Sequence, residues 1–316
     1  MMSAPKISVV MPTFRRPEML RRAVASVLAQ SFEDWELVIS DDEVPAGETW
    51  PVLEELAASD PRIRVFQHSG KSGQIENNNF VMSQARGEWI KPLFDDDELK
   101  PACLSRLWEQ VQLHPELSLI RCKVDLFNEV SQWQKISKSS GESVLKSADD
   151  IRLGLLRQEI RLGTPLQIMF HRRILDAGLQ WRKVEGMSSA YDSDFIYRML
   201  PFGEVLLVDE SLVVQHLGHE TGTALMDAQP EKLDEDLRIL MRELHAAYEG
   251  AEVLAPLSRY HHELTLVRGL HRIVRYHRYK EGLGMLLQRH PWRAWKHVIH
   301  LVFRNDEFRG ALSVTG

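Results

Sequence analysis

Trp89-Ile90-Lys91-Pro92-Leu93-Phe94-Asp95-Asp96-Asp97-Glu98-Leu99-Lys100-Pro101 is the stretch from which the rest of the chain is read. A short, largely apolar run ended by polar residues predicts a buried strand, and here it delivers three carboxylates in succession. Carboxylates so crowded repel one another unless a cation lies between them, so the cluster suggests a divalent metal at the strand's end. Hard oxygen donors suit Mg²⁺ or Mn²⁺. An ion held by one or two carboxylates usually completes its shell with water and a substrate's phosphates, which points to a phosphorylated donor. An isolated Asp triplet more often reads as a solvated acidic turn, so the flanking sequence has to decide. Pro92 donates no ladder bond, which predicts a bulge or irregular pairing there.

Upstream, Ile7-Ser8-Val9-Val10-Met11 reads as a short buried strand stopped by Pro12-Thr13, and Arg16-Pro17 opens a helix with Leu20, Val24, Val27 and Leu28 at helical spacing. Trp35 to Ser40 is a second strand, closed by Asp41-Asp42 and the turn-prone Pro45-Ala46-Gly47. A helix from Trp50 to Ala58 and a third strand from Ile63 to Phe66 follow. This alternation predicts parallel βαβ units with right-handed crossovers. After a polar loop, a helix is expected from about Gln74 to Ala85, with Gly87 capping it. Each polar cluster lies at the carboxyl end of a strand, the edge where open α/β sheets bind ligands. Thr13, Asp41, Asp42 and Asp95 to Asp97 are therefore expected to share one crevice.

Downstream, a helix is expected over 101–113 and a strand over 118–124, with the Ser/Lys-rich stretch 131–147 as a mobile loop. Residues 150–161 read as helical and 166–170 as extended. Residues 189–200 read as a helix with Asp192 and Asp194 in its first turns. Two strands, 204–208 and 212–215, end at His216. Beyond Thr223 the period is helical almost to the end, with Pro256 and Pro291 as breaks.

With 316 residues the chain can hold one large α/β domain and an appendage. Its 44% hydrophobic and 27% charged residues are ordinary for a soluble protein. The N-terminus lacks a signal-type segment, no apolar run is long enough to span a bilayer, and Cys103 and Cys122 have no metal or redox spacing. A cytoplasmic location is the expectation. The net charge of −6 is uneven: Arg259 to Gly316 carries 11 basic and 4 acidic side chains, or +7, against 28 basic and 41 acidic, or −13, before it. That tail also holds seven histidines with Trp292, Trp295 and Phe303. The mixture suits an anionic surface such as phospholipid headgroups, at the inner face of a membrane, or a polyanionic acceptor. A helical face packed on the main domain, or a homodimer interface, is the structural alternative. The acidic remainder and the lack of a recognition motif argue against nucleic acid.

The order and spacing of these pieces resemble glycosyltransferase family 2. The likeness runs through Val9 to Pro17, Ser26 to Phe32, Glu36 to Asp42, Gly87 to Ile90, and the aspartate cluster with Pro101, spanning roughly residues 5–220. It implies the GT-A fold, a Rossmann-like, mostly parallel sheet flanked by helices. It divides the chain into a nucleotide-sugar-binding half (1–124), an acceptor half (125–225) and a basic helical extension (226–316). The resemblance further implies an inverting transferase that takes a sugar from a nucleotide sugar, with a UDP-sugar favoured, to a glycan or lipid-linked acceptor in bacterial surface polysaccharide synthesis.

Carried over residue by residue, the resemblance places Pro12, Thr13, Phe14, Arg16 and Asp42 around base and ribose. It makes the triplet a DxD-type metal motif in which the usual first aspartate falls on Phe94. Asp96 is then the metal ligand, Asp95 lies near ribose or metal, and Asp97 is a further ligand. At Asn78-Asn79 relatives often have Arg-Asn, so Lys71 or Arg16 is expected to stand in for the missing cation, with Asn79 retained at the donor. Asp192 resembles the catalytic base, and Asp194 a supporting residue. An Asp in this position can also simply cap a helix. His216 resembles a residue that gives metal or phosphate a ligand. A sugar-phosphate nucleotidyltransferase would need a glycine-rich phosphate loop, which Met11 to Arg16 lacks. A non-catalytic nucleotide-sugar-binding scaffold would have no use for both Asp96 and Asp192.

Overall fold

The computed structural model describes residues 4–68, 73–139, 142–156 and 160–218, together with Lys232, Glu235, Asp236, Ile239, Leu240 and Arg242. Lys71 and most of the basic extension lie outside the described residues.

The first half alternates as the sequence predicts. β1 (Ile7–Thr13), α1 (Pro17–Leu28), β2 (Trp35–Asp41), α2 (Thr49–Ser59), β3 (Ile63–Gln67), α3 (Gln74–Ser83) and β4 (Trp89–Pro92) follow in order. β1, β2, β3 and β4 are mutually parallel, and all five residues from Ile7 to Met11, Ser8 included, are buried because this central strand is covered on both faces. β5 (Glu98–Leu99), α4 (Cys103–Leu113), β6 (Leu117–Asn128), β7 (Gln134–Lys135), β8 (Val144–Lys146), α5 (Ala148–Leu156), β9 (Ile168–His171), α6 (Arg173–Asp176), α7 (Tyr191–Tyr197) and β10 (Glu204–Leu217) complete the described elements. The sheet order is β3-β2-β1-β4-β9-β6-β10-β5, with β7 on β6 and β8 on β10. The line drawn between residues 124 and 125 falls inside β6, so the two halves share one sheet.

Leu20, Val24 and Val27 of α1, Leu53 of α2, and Leu104 and Leu107 of α4 cover one face of the sheet. Val81 and Met82 of α3, Ile151 of α5, and Phe195 and Ile196 of α7 cover the other. Each such fully buried side chain contributes roughly 1.5–3 kcal/mol through area removed from water.

Several local expectations are corrected. Pro92 makes no bulge: the ladder with β1 runs in register from Ile7–Trp89 to Val10–Pro92, and β9 pairs only with Trp89 and Ile90. Trp89 donates to the Lys6 carbonyl just before β1 and Leu93 to Val10 within it, so the proline nitrogen faces the side β9 has already left. Gly87 is not a helix cap, since α3 ends at Ser83; a Cβ there would lie 2.5 Å from the Ser8 nitrogen, so glycine permits close approach to β1. Within 131–147, Gln134–Lys135 and Val144–Lys146 form edge strands. The two strands expected over 204–215 are one, β10, whose register against β6 shifts around Ser211. The polar Asp209-Glu210-Ser211 run is a β-irregularity and not a turn.

Candidate active site

Thr13, the last residue of β1, is the hub of the crevice. Its carbonyl accepts from the Asp42 backbone N–H at 3.1 Å and from Asn77 Nδ2 at 3.3 Å, and its hydroxyl donates to Asp95 Oδ2 at 2.7 Å. The carboxyl ends of β1 and β2 and the residues following β4 are thus joined at one residue, because parallel strands bring their ends to one edge. Arg15, at φ 54°, turns the chain after Phe14, and its guanidinium meets Glu43 at 2.8 Å while lying over the exposed Phe14 ring. Pro12 sits within β1, paired with Ser40.

Asp95 and Asp97 are buried, and Asp96 is half-buried between them. Arg16 Nη1 lies 3.4 Å from Asp95 Oδ1 and 3.1 Å from Asp96 Oδ2. Burial, opposed by the Thr13 hydrogen bond and reinforced by Asp96, pushes Asp95 up to about 6. Burial, with Asp96 next to it, likewise drives Asp97 well above the ordinary carboxylate range, although the His216 N–H donates to Asp97 Oδ1 at 3.0 Å. Two neighbouring carboxyls held towards neutrality mark a place where further positive charge is stabilising. Three oxygen-donor residues in a row fit a hard divalent ion. Among the described residues no group of three or more His, Cys, Asp or Glu is arranged to hold an ion by protein ligands alone. An ion here would therefore be shared with water and phosphate.

His216 reaches the cluster through its backbone. Its ring Nε2 lies 2.7 Å from Glu98 Oε1 and Nδ1 lies 3.0 Å from Glu129 Oε1. Arg22 closes this network, meeting Glu129 at 2.6 Å and donating to the Asp96 carbonyl at 3.0 Å. The imidazole is thus held between two glutamates, one on β5 and one following β6. Beneath the cluster, Lys91 is fully buried, and its Nζ donates to the Pro92 and Leu166 carbonyls. Desolvation lowers its proton affinity, and Asp97 is among the charges opposing that fall.

Asp42 is committed within the fold: Oδ1 lies 3.0 Å from His68 Nδ1, and Oδ2 accepts from the Gly73 N–H at 2.8 Å. Asp41 is fully buried, its Oδ1 accepts from the Glu43 N–H at 3.1 Å, and burial raises its proton affinity. Asn79 is also committed, since its amide donates to the Trp181 carbonyl at 2.9 Å and accepts from the Trp181 N–H at 2.8 Å. That fork ties α3 to the segment before α7, where Trp181 stacks on Phe195 at 4.8 Å between ring centroids.

In the first turn of α7, Asp192 Oδ1 accepts from the Ser193 N–H at 2.7 Å, and burial raises its proton affinity against that bond. Asp194 is buried between Arg182, at 2.8 Å, and Arg198, at 2.9 Å. The two acids therefore differ: Asp194 is an internal counter-ion, and Asp192 has no arginine among its described partners. Sequence reasoning passed over Arg22, Glu98 and Glu129, whose spacing reads as solvated faces until the fold brings them together. Lys91 had a readable signal, a single charge inside an apolar strand.

The sequence model described as "Glycosyl transferase family 2" matches residues 8–179. The chain belongs to this family. It is 28% identical over 244 residues to the putative colanic acid biosynthesis glycosyl transferase of Escherichia coli, covering 73% of this chain and 79% of that protein. It is 39% identical over 107 residues to the GalNAc(5)-diNAcBac-PP-undecaprenol beta-1,3-glucosyltransferase of Campylobacter jejuni, a match covering 34% of each chain. The fold is similar to that of S. aureus TarS 1-349 in complex with UDP-GlcNAc, with a TM-score of 0.61 at 17% identity over 86% of this chain and 73% of the other. It is equally similar to the mannosyltransferase PcManGT from Pyrobaculum calidifontis in complex with GDP-Man and Mn²⁺, with a TM-score of 0.61 at 12% identity over 98% and 83%. The family 2 transferase thus has the GT-A fold expected from its sequence. Among the described residues no helix is long and apolar enough to cross a membrane.

Proposed function

We propose that this family 2 chain catalyses metal-dependent, inverting transfer of a sugar from a nucleotide-diphosphate sugar, with a UDP-sugar favoured, to an acceptor hydroxyl in bacterial surface glycan synthesis. The observation that carries the reading is the buried Asp95–Asp97 cluster, joined through Thr13 to the ends of β1 and β2. The Thr13–Arg16 loop and Asp42 border the nucleoside there. Asp96, with Asp95 and Asp97 beside it, would hold Mn²⁺ or Mg²⁺, and His216 would stiffen the turn from the far side. When bound, such an ion offsets the negative charge that develops on the departing diphosphate.

Asp192 takes the acceptor proton. Its burial makes it a stronger base than a solvated aspartate, and proton removal is needed because a neutral hydroxyl is a weak nucleophile. Attack opposite the leaving diphosphate inverts the anomeric centre. The names of the E. coli and C. jejuni relatives point to colanic acid biosynthesis and to glucosyl transfer onto an undecaprenol-linked glycan, and the latter supports a lipid-linked acceptor for this chain. The +7 charge of residues 259–316 supports docking of the cytoplasmic enzyme at an anionic membrane beside it. Thermal shift with UDP-, GDP- and dTDP-sugars, each with and without Mn²⁺, tests the donor, because a ligand that binds the folded state raises apparent stability. Stabilisation by one nucleotide sugar only with metal is expected; no response to any of them contradicts the reading.

A further inference from the structure

α7 carries Asp192 but does not hold its own start. It has only seven residues, too few for a helix to persist without tertiary support. Ala190, at its N-cap, offers no side-chain acceptor for the free N–H groups of the first turn. Asp236, 46 residues beyond Ala190 along the chain, instead pins the segment that enters the helix. Asp236 Oδ2 accepts from the Ala190 N–H at 3.1 Å, the Ser189 N–H at 2.7 Å and the Ser189 hydroxyl at 2.6 Å, and Oδ1 accepts from the Ser188 N–H at 2.8 Å. The Ser188 hydroxyl adds contacts of 3.3 Å. The carboxylate is 1% exposed, and burial is outweighed by these bonds, led by Ser189, which keep it ionised below its ordinary range. Ile239 and Leu240 pack beside it on Val184, Met187, Ala190, Tyr191 and Tyr197. Gly186, at φ 78°, brings the backbone so close that an added Cβ would lie 3.2 Å from Ile239 Cδ1.

We propose that Asp236 is a positioning residue for the reaction: it anchors residues 188–190, the segment that leads into the helix bearing Asp192, and thereby fixes where the base carboxylate points. The inference rests on Asp192 as the base. It makes Asp236, which lies beyond the catalytic sheet in sequence, part of the catalytic unit. A buried carboxylate that satisfies three backbone donors specifies one loop conformation, whereas a neutral amide at the same place would offer a single acceptor oxygen and bring donors of its own.

Hydrogen exchange in the full-length Asp236→Asn variant is the first test. Faster exchange is expected at the amides of residues 188–193, with β1 and β2 unchanged; parental protection at 188–193 overturns the proposal. The second test is release of nucleoside diphosphate from the nucleotide sugar that the parent turns over. Asp236→Asn is expected to lower kcat about 10- to 100-fold with little change in donor KM, the size expected when a reacting group is misplaced. Parental kcat, or a loss confined to KM, overturns it. Should Asp236→Asn fail to fold, Ser189→Ala removes one hydroxyl donor alone, and a lower kcat at unchanged Tm then supports the proposal while an unchanged kcat rejects it. Adding Asp236→Asn to Asp192→Asn should cost nothing further. An active Asp192→Asn enzyme would refute the base itself, a result read from a different variant.

Discussion

Thr13 Oγ1 donates a 2.7 Å hydrogen bond to Asp95 Oδ2, so the residue that ends β1 restrains the first carboxylate of the acidic cluster. Thr13→Val removes the hydroxyl and keeps the shape. Loss of one buried bond to a carboxyl costs about 1–3 kcal/mol, readable as a lower urea midpoint, and Asp95 should titrate higher still. If the Mn²⁺ affinity of the variant at neutral pH equals that of the parent, Asp95 has no part in holding the ion.

The pH dependence has a definite sign. Asp95 rises from an ordinary 3.8 to about 6 on folding, so between these values the folded chain binds more protons than the unfolded one and stability falls as pH rises. A cation binds the ionised form, so Mn²⁺-dependent nucleotide affinity should be weak at about pH 5, climb through about 6 and level off by about 7.5. Titration calorimetry at these pH values checks this; affinity independent of pH would remove Asp95 and Asp97 from the ion's surroundings.

Asp96→Ala should abolish the metal dependence of nucleotide binding while leaving metal-free binding near the parental value. Asp96 is the least buried of the three, at 14% side-chain exposure, and meets Arg16 at 3.1 Å. Fluorescence titration of UDP with and without Mn²⁺ separates the two quantities. Superimposable curves for variant and parent would rule Asp96 out as a ligand.

Asn79→Ala leaves the Trp181 N–H and carbonyl without their partner, a loss of about 1–3 kcal/mol for each unsatisfied buried group. In a chain of this size that lowers Tm by about 2–4 °C per kcal/mol. The variant should be less stable but bind nucleotide with parental affinity. Parental stability with weakened binding would return Asn79 to the donor site.

The parallel half was legible because buried parallel strands are written as mainly apolar runs: Ile7 to Met11, interrupted by Ser8, and Trp35 to Ile39, interrupted by Glu36, needed no partner to be recognised. The acidic triplet was legible because three adjacent aspartates after such a run have few uses. Gln134–Lys135 and Val144–Lys146 were read as loop because edge strands of two and three residues owe their form to β6 and β10, not to their own composition. The commitments of Asp42, Asn79 and His216 could not be read, since each depends on a partner that the fold supplies: Gly73, Trp181 and the Glu98–Glu129 pair. Asp236 was hidden for the same reason, since its partners Ser188, Ser189 and Ala190 are brought to it by the fold across more than forty residues of chain.

Asp192→Asn removes the base and preserves volume and the bond from Ser193. With donor affinity measured by calorimetry and transfer by single-turnover product formation, donor binding within about twofold of the parent and transfer slowed by about 10²–10⁴-fold are expected if Asp192 is the base. Transfer at the parental rate would contradict it.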